Sequence, residues 1–180
     1  MAKRELQAAR EIARRAGVTE HRLVRLPDLR EAGEIGGGRF SNYPPTYIPM
    51  RNSIFYSFAA SFGEEVRASF IVGGHNRDDG QVFRDARPEF FAGLESALRR
   101  GSSILVQKKT RIVRPLAGLS KAEVVGLAAK RKVPLELTWS CHREGSEHCW
   151  KCEGCMARLD SFKKAGVPDP LNPPRTGKIT

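Results

Sequence analysis

The feature that most constrains this chain is a group of four cysteines towards its C-terminal end. They are Cys141, Cys149, Cys152 and Cys155, and together they are the whole cysteine content of the 180 residues. Four thiolates supplied by a loop and the tight turn after it match the tetrahedral ligand set of Zn²⁺, with Zn–S distances of about 2.3 Å. Because such a set leaves no open coordination position, the spacing predicts a structural zinc site rather than a catalytic one.

Other uses of these cysteines fit the sequence less well. Disulfides need an oxidising compartment, and Met1 leads directly into a charged helical pattern without the apolar core of a secretory signal. A redox Cys-x-x-Cys pair needs two thiols, whereas this cluster has two overlapping pairs and a fourth cysteine. His142 and His148 flank the cluster, and either can replace a cysteine as a ligand. With four thiols present, we interpret both as loop histidines.

The charge of the chain limits its partners. Thirty-one Lys and Arg against 20 Asp and Glu give a net charge of +11, which is typical of proteins that bind nucleic acid or nucleotides. Between Arg99 and Lys132 there are ten basic residues and a single acid, Glu123. A solvated basic face is the alternative interpretation. There is no apolar run near the roughly eighteen residues of a membrane span, so we expect a soluble, cytoplasmic protein.

Hydrophobic periodicity predicts helices that alternate with short strands. The predicted helices cover residues 4–16, 52–62, 88–98, 120–131 and 155–164. The predicted strands cover residues 21–26, 69–73, 104–106 and 112–113. Asn52 is interpreted as an N-cap, and Ser120 and Glu123 as a capping box. The alternation predicts an α/β fold with a three-layer, mostly parallel sheet.

Two loops are expected to contact ligands. Residues 33–49 are rich in Gly and Pro, and Tyr43 and Tyr47 within them favour a loop that closes over something. The polar loop 74–80 follows the predicted strand 69–73 directly. Open α/β sheets bind their ligands at the carboxyl ends of parallel strands, so this loop is a candidate binding segment.

Five stretches of the chain form a set with a family likeness. They are Tyr47-Ile-Pro-Met-Arg51-Asn52-Ser-Ile-Phe55, Gly74-His-Asn76-Arg-Asp-Asp79, Asp85-Ala-Arg87-Pro88-Glu89-Phe90, Arg114-Pro-Leu-Ala-Gly-Leu-Ser120-Lys121-Ala-Glu123 and Thr138-Trp-Ser-Cys141. With the cysteine cluster they resemble the 7-cyano-7-deazaguanine synthases of the PP-loop ATP pyrophosphatase superfamily. The resemblance implies an adenine nucleotide alpha hydrolase-like fold. It also implies an ATP- and Mg²⁺-dependent carbon–nitrogen ligase, which converts 7-carboxy-7-deazaguanine and ammonia to the nitrile, a queuosine precursor.

One motif of that family is missing from this sequence. The family begins with a strand and a Ser-Gly-Gly-x-Asp-Ser loop, whose N–H groups hold the ATP phosphates. Gly36-Gly37-Gly38 does not replace it, because no strand leads into it. We therefore expect an N-terminally truncated α/β domain over 1–135, a zinc-binding segment over 136–168 and a mobile tail over 169–180.

Three explanations of the missing motif stay open. The chain is a fragment, half of a split enzyme that another chain completes, or a relic that has lost its ATP chemistry. Under all three, the chain alone is expected to activate substrate poorly or not at all. A complementing N-terminal chain and a homodimer are the expected partners, besides the deazaguanine substrate and ammonia.

The resemblance also implies site residues. Asp79 and Lys121 are expected to be catalytic. The expected contacts to nucleotide or substrate are Arg51, Asn52, Asn76 and Arg87. Structural roles are the alternatives, with Asn52 as a helix cap and Arg87 paired to Glu89. Trp139 and Phe162 are expected to pack around the zinc site, and Trp150 to pack there or to stack on a base.

Other function classes remain. A Cys₄ knuckle beside a basic segment also suits a module that binds single-stranded RNA or tRNA. A tRNA-thiolating PP-loop enzyme needs a cysteine free to carry sulfur, whereas all four are assigned here to the metal. A non-catalytic partner subunit is the last alternative.

Overall fold

The computed structural model describes residues 2–26, 29–143 and 145–173, which form two compact units. One unit comprises residues 25–119, and the other comprises residues 1–24 and 120–180. The helices are α1 (Ala2–Arg15), α2 (Ala32–Ile35), α3 (Arg51–Glu65), α4 (Arg77–Val82), α5 (Pro88–Arg100), α6 (Ser103–Gln107), α7 (Lys121–Lys130) and α8 (Glu153–Ala165). The strands are β1 (Phe70–Val72) and β2 (Arg111–Val113), and short 3₁₀ turns cover Arg84–Ala86 and Leu135–Leu137.

The unit of residues 25–119 is built on a parallel pair of strands. β1 and β2 pair in the register Phe70–Arg111, Ile71–Ile112 and Val72–Val113, which confirms both predicted strands and their parallel direction. Helices α3 and α5 pack against them, and the buried core is Tyr56, Ala60, Ile71, Phe91 and Leu105. Within the described residues the sheet has these two strands, and a wider three-layer sheet stays a prediction.

β1 is buried on one face only. Ile71 points into the core, whereas Phe70 and Val72 are 60% and 66% exposed. Parallel strands are usually buried on both faces. One face of this strand therefore presents large apolar side chains at the surface of the unit.

Two predicted strands are wrong. Residues 104–106 lie in helix α6, because the Ser102 hydroxyl caps it by accepting a hydrogen bond from the Leu105 N–H at 3.1 Å. This local cap outweighs the β propensity of a short Ile-Leu-Val run. Residues 21–26 have no regular structure, and Leu23 and Val24 in them are exposed. Pro27, which was predicted to end that strand, lies outside the described residues.

The loop 33–49 folds back on its own beginning. The one-turn helix α2 is held there by the Ala32 and Gly33 N–H groups, which donate to the carbonyl oxygens of Tyr47 and Pro45 at 2.7 and 2.9 Å. The Tyr47 ring stacks on Tyr43 at 4.2 Å. Tyr47 also stacks on the ring of Phe83 at 5.7 Å. Aromatic stacking thus orders a segment whose composition predicts only irregular structure.

The unit of residues 1–24 and 120–180 is helical. Helix α7 packs against α8, and α1 contacts the 3₁₀ turn Leu135–Leu137. The predicted capping box is confirmed, since the Ser120 hydroxyl accepts from the Glu123 N–H and the Glu123 carboxylate accepts from the Ser120 N–H. Glycines in the left-handed conformation follow α1 and end α8, with φ of 70° at Gly17 and 65° at Gly166.

The first residue of the predicted mobile tail is packed in the structure, and the tail over 169–180 itself stays a prediction. Asp169 is buried in an ion pair with Arg158, so the chain is fixed at this point. Residues 174–180 of that tail lie outside the described residues. The predicted domain boundaries at residues 135 and 168 stay a prediction. Among the described helices, none has the length and apolar character needed to cross a bilayer.

Candidate metal centre and ligand cavities

The four cysteines converge on one point. All four Sγ atoms lie within 4.8 Å of one another, with 3.9 Å between Cys141 and Cys152 and 4.0 Å between Cys149 and Cys155. Tetrahedral zinc with Zn–S distances of about 2.3 Å requires sulfurs about 3.8 Å apart, so the donor set fits this ion. Neither histidine belongs to the group found in the described part of the chain. The predicted Cys₄ cluster is confirmed as a site that can hold a metal ion.

Local backbone geometry brings the sulfurs together. Cys152 is the N-cap of α8 and Cys155 lies in its first turn, so the helix start carries two ligands. Trp150 adopts a left-handed backbone with φ of 56°, which closes the tight turn between Cys149 and Cys152. At Gly154 a Cβ atom would overlap the Ser140 carbonyl oxygen and the His142 imidazole, so only glycine allows this approach.

Backbone N–H groups point at the sulfurs. Five of them lie 3.3–3.5 Å from Sγ atoms, as expected around metal-bound thiolates. The donors are His142 to Cys152, Arg143 and Cys149 to Cys141, and Lys151 and Cys152 to Cys149. These N–H groups stabilise negative charge on the sulfurs even without a cation.

The thiols of the cluster do not ionise alike. The N–H donated by Lys151, followed by that of Cys152, lowers the pKa of Cys149 to about 6. Burial instead raises the pKa of the Cys155 thiol. Four thiolates in so small a volume repel one another, and a bound dication removes that repulsion. The cluster can therefore hold a cation, which would stabilise it.

Aromatic side chains cover one side of the cluster. The Trp139 indole N–H donates to the Cys141 carbonyl oxygen at 2.8 Å. The His148 ring packs on Trp139 at 4.2 Å and stacks on Trp150 at 5.1 Å. Its Nε2 accepts a hydrogen bond from the Ser140 N–H at 3.1 Å, and burial lowers the pKa of this histidine. His148 is thus a half-buried loop histidine that supports the cluster without belonging to its group of candidate ligands.

Sequence reasoning missed a buried ion pair behind the cluster. The Arg158 guanidinium donates to both Asp169 carboxylate oxygens at 2.6 and 2.7 Å, with side chains only 5% and 3% exposed. It also donates to the Thr138 hydroxyl at 2.6 Å and lies 4.7 Å above the Phe162 ring. The available signal was an arginine on the apolar stripe of α8 between Cys155 and Phe162, at spacings of three and four residues.

A second candidate site lies at the carboxyl end of β1. It is a cavity of about 340 Å³, which we call the β1 cavity, and it includes two of the predicted ligand residues, Arg51 and Asn52. Its remaining wall is Phe55, Tyr56, Ala59, Ile71, Val72, Gly73 and His75. Burial lowers the pKa of His75, so its imidazole is neutral near pH 7. The position agrees with the expected ligand edge of an α/β sheet.

The structure gives the predicted polar residues definite local partners. Asn52 is not the N-cap of α3, which begins at Arg51 after a left-handed Met50. Instead its buried amide donates to the Asp85 carbonyl oxygen at 3.0 Å. Asn76 and Asp79 form the capping box of α4.

The two remaining predicted residues lie in different units. Arg87 donates from Nε to the Gly80 carbonyl oxygen at 3.1 Å, a different partner from the expected Glu89. Lys121 is the first residue of α7, in the unit of residues 1–24 and 120–180. The ligand roles of all six residues stay predictions.

Tyr56 is a residue of the β1 cavity that sequence reasoning missed. Its side chain is 6% exposed, yet its hydroxyl has no hydrogen-bond partner among the described residues. A Cβ atom at Gly73 would overlap this hydroxyl, so the glycine makes room for it. Burial raises the pKa of the phenol. The sequence signal that could have identified Tyr56 was a tyrosine on the core stripe of α3, at a position where phenylalanine would pack as well.

Replacing Tyr56 by phenylalanine is expected to stabilise the unliganded protein. The substitution removes a buried polar group without a partner, which is worth about 1 kcal/mol in the free energy of unfolding. Urea denaturation measures it, with Tyr43→Phe as the control because Tyr43 is half-buried in the tyrosine stack of the loop. A Tyr56→Phe protein that is less stable than the wild type by 1 kcal/mol or more, on the order of one lost hydrogen bond, would contradict this account.

Comparison with known proteins decides the family. A sequence profile described as "Queuosine biosynthesis protein QueC" matches residues 1–166, which include the whole cysteine cluster. The chain belongs to this family. This confirms the resemblance that the five motifs had indicated.

Named relatives agree with this assignment. A 7-cyano-7-deazaguanine synthase of Acetivibrio thermocellus is 34% identical over 183 residues, which cover 94% of this chain and 80% of the relative. The enzyme of that name from Thermoplasma acidophilum is 36% identical over 93% of this chain and 75% of its own length. That of Thermoplasma volcanium is 44% identical over 71% of this chain and 53% of its own length.

Proposed function

We propose that this chain takes part in the ATP-dependent conversion of 7-carboxy-7-deazaguanine and ammonia to 7-cyano-7-deazaguanine. The observation that carries the proposal is the family match over residues 1–166, which includes the cysteines that the structure brings together. The reaction class is carbon–nitrogen ligation within queuosine precursor biosynthesis. A cytoplasmic location is part of the proposal.

The cofactors are proposed from the donor sets. Zinc is the proposed metal, held by Cys141, Cys149, Cys152 and Cys155, because four sulfurs at these distances suit a tetrahedral thiophilic ion. Its role is structural, since the thiolates fill its coordination. ATP with Mg²⁺ supplies the activation that a carboxylate needs before ammonia can displace its oxygen.

The proposed contacts to nucleotide or substrate centre on the β1 cavity. Arg51 supplies a positive charge there, and Asn52 fixes the cavity wall through Asp85. Asn76 and Arg87 complete the proposed binding set. Asp79 and Lys121 remain the proposed catalytic residues. Lys121 is placed at the beginning of α7, where a lysine opposes the helix dipole and is easier to explain by a ligand than by stability.

Exposed apolar side chains support a protein partner. Phe55, Phe58, Phe70 and Val72 are 48%, 45%, 60% and 66% exposed in the unit of residues 25–119. Large apolar surface beside a parallel strand is typically covered in the working protein. The proposed partners are a polypeptide with the Ser-Gly-Gly-x-Asp-Ser loop and a second copy of this chain.

A reconstitution assay tests the function. Zinc-loaded chain is mixed with 7-carboxy-7-deazaguanine, ATP, Mg²⁺ and ammonia, with and without a polypeptide that carries the Ser-Gly-Gly-x-Asp-Ser loop, and the nitrile is detected by mass spectrometry. We expect nitrile in the complete mixture and little from the chain alone. Lys121→Met should lower the rate about 100-fold, since it removes a charge from the reacting groups. Lys130→Met on the same helix is the matched control.

The outcomes separate the function classes. Absence of nitrile from every mixture, together with RNA binding that weakens steeply with salt, would replace the ligase by the RNA-binding module. A Lys121→Met protein as active as the Lys130→Met control would remove Lys121 from the proposed catalytic set.

A further inference from the structure

The unit that holds the cysteine cluster contains a cavity that none of the predicted catalytic residues uses. It has a volume of about 420 Å³, within the usual range for small-molecule sites. We call it the tryptophan cavity, because its wall includes Trp139 and Trp150, which are both tryptophans of the chain. His148 and the acids Glu136 and Glu147 also line it.

The aromatic part of the wall is held rigidly. The Trp139 indole N–H donates a hydrogen bond to the Cys141 carbonyl oxygen, and the His148 imidazole accepts one from the Ser140 N–H. Trp150 stacks on His148 and keeps a left-handed backbone, which costs on the order of 1 kcal/mol for a residue other than glycine. Flat, fixed aromatic surfaces bind planar rings by stacking.

The charged part of the wall is acidic although the chain is strongly basic. Glu136 is held by Arg15 at 3.4 Å, whereas Glu147 lies exposed at the cavity. Carboxylates disfavour the phosphates of ATP or of a nucleic-acid backbone. They favour a neutral ring that presents two adjacent N–H donors, since one carboxylate accepts both hydrogen bonds.

We infer that the tryptophan cavity binds the guanine-type edge of the substrate base, stacked on Trp150 with its N1–H and N2–H donated to Glu147. This rests on the proposed function, because 7-carboxy-7-deazaguanine has that edge on its six-membered ring. The carboxylate at position 7 lies on the other ring and points away from Glu147. An adenine-type ring has no such pair of donors and is rejected, because the carboxylate faces its unprotonated N1.

Intrinsic fluorescence tests the site directly, since both tryptophans line it. Zinc-loaded full chain is titrated with 7-deazaguanine, 7-deazaadenine and a three-guanosine RNA, and calorimetry measures the same affinities. We expect 7-deazaguanine to quench the fluorescence and to bind at least about tenfold more tightly than 7-deazaadenine. The RNA is expected to bind more weakly than the free base, because its phosphates meet two carboxylates.

Isosteric variants identify the acceptor. Glu147→Gln is expected to weaken binding of 7-deazaguanine about tenfold or more, since one amide cannot accept both N–H groups. The double variant Glu136→Gln/Glu147→Gln covers the case in which Glu136 accepts the hydrogen bonds in place of Glu147. Glu5→Gln, on α1 and outside the cavity wall, is the matched control, and zinc content shows that each variant is folded.

The results keep this inference distinct from the proposed function. Equal affinity for the two deazapurines, tighter binding of the RNA, or a double variant that binds like the Glu5→Gln control would overturn the cavity assignment. If the double variant still formed nitrile at the wild-type KM in the reconstitution assay, the function would stand without this site. Quenching by 7-deazaguanine, together with no nitrile even from the complete reconstitution mixture, would support the site and contradict the ligase.

Discussion

Removing the metal from the four-cysteine cluster is expected to unfold the segment around it. Structural zinc contributes on the order of 10 kcal/mol to folding, because the site does not exist in the unfolded chain. A bound ion would hold the loop 141–149 against the start of α8, an attachment to which the His142 and Cys152 N–H groups add contacts with the Cys152 and Cys149 Sγ atoms at 3.3 Å. Without the ion, the attraction between each thiolate and the metal is lost, and the thiolates repel one another.

Near-ultraviolet circular dichroism and tryptophan fluorescence measure this loss. Trp139 and Trp150 pack on the cluster, so both signals should fall together when a chelator is added in the presence of reductant. Stoichiometric zinc should restore them. Cys155→Ser, which removes one of the two fully buried ligands, should give the same loss without a chelator. His142→Asn is the control, because His142 contributes only its backbone N–H to the cluster.

A chelated protein that kept its tryptophan signals would show that the segment folds without a metal. Cobalt replacement gives an independent check, since the intensity of the charge-transfer bands counts the thiolates. We expect four. A His142→Asn protein that lost a ligand would instead bring the histidine into the set, which the grouping of the four sulfurs within 4.8 Å speaks against.

Sequence reasoning succeeded where one local signal determined the structure. The cysteine spacing and the Ser120–Glu123 capping box each need only neighbouring residues to act. Sequence reasoning was less reliable where a local signal acts together with a contact to a distant residue. Ser102 turns an apolar run into helix α6, and its hydroxyl donates to Glu64 at 2.6 Å, 38 residues away.

Site residues were found unevenly for the same reason. The metal ligands are close in sequence, whereas the β1 cavity joins α3 to the end of β1. Asn52 looked like a cap because Asn is common there, but its partner is a carbonyl oxygen at position 85. Tyr56 and the pair of Arg158 with Asp169 carry no motif. They are recognised only when their burial is known.

Replacing Asp169 by asparagine is expected to destabilise the protein by about 3–5 kcal/mol, because it leaves the Arg158 charge buried without a counter-ion. Asparagine keeps the shape of the side chain, so the loss is electrostatic. Urea denaturation followed by tryptophan fluorescence measures it. Asp160→Asn is the matched control, since Asp160 pairs with Lys164 at 2.7 Å on the exposed side of the same helix, where such pairs contribute less than about 1 kcal/mol.

The pH dependence distinguishes charge from packing at this position. Burial alone raises the pKa of Asp169, but the hydrogen bonds from Arg158 lower this pKa by a larger amount. The net shift is therefore downward from 3.8. The folded protein therefore holds its carboxylate more firmly than the unfolded chain. The stabilisation is complete above the ordinary pKa and is lost as the pH falls through the lower folded value. The stability difference between wild type and Asp169→Asn should thus be constant near neutral pH and shrink below about pH 4. If the stability difference stayed constant in strong acid, where Asp169 is protonated, the loss would be assigned to packing. The charge of Asp169 would then have contributed nothing to stability.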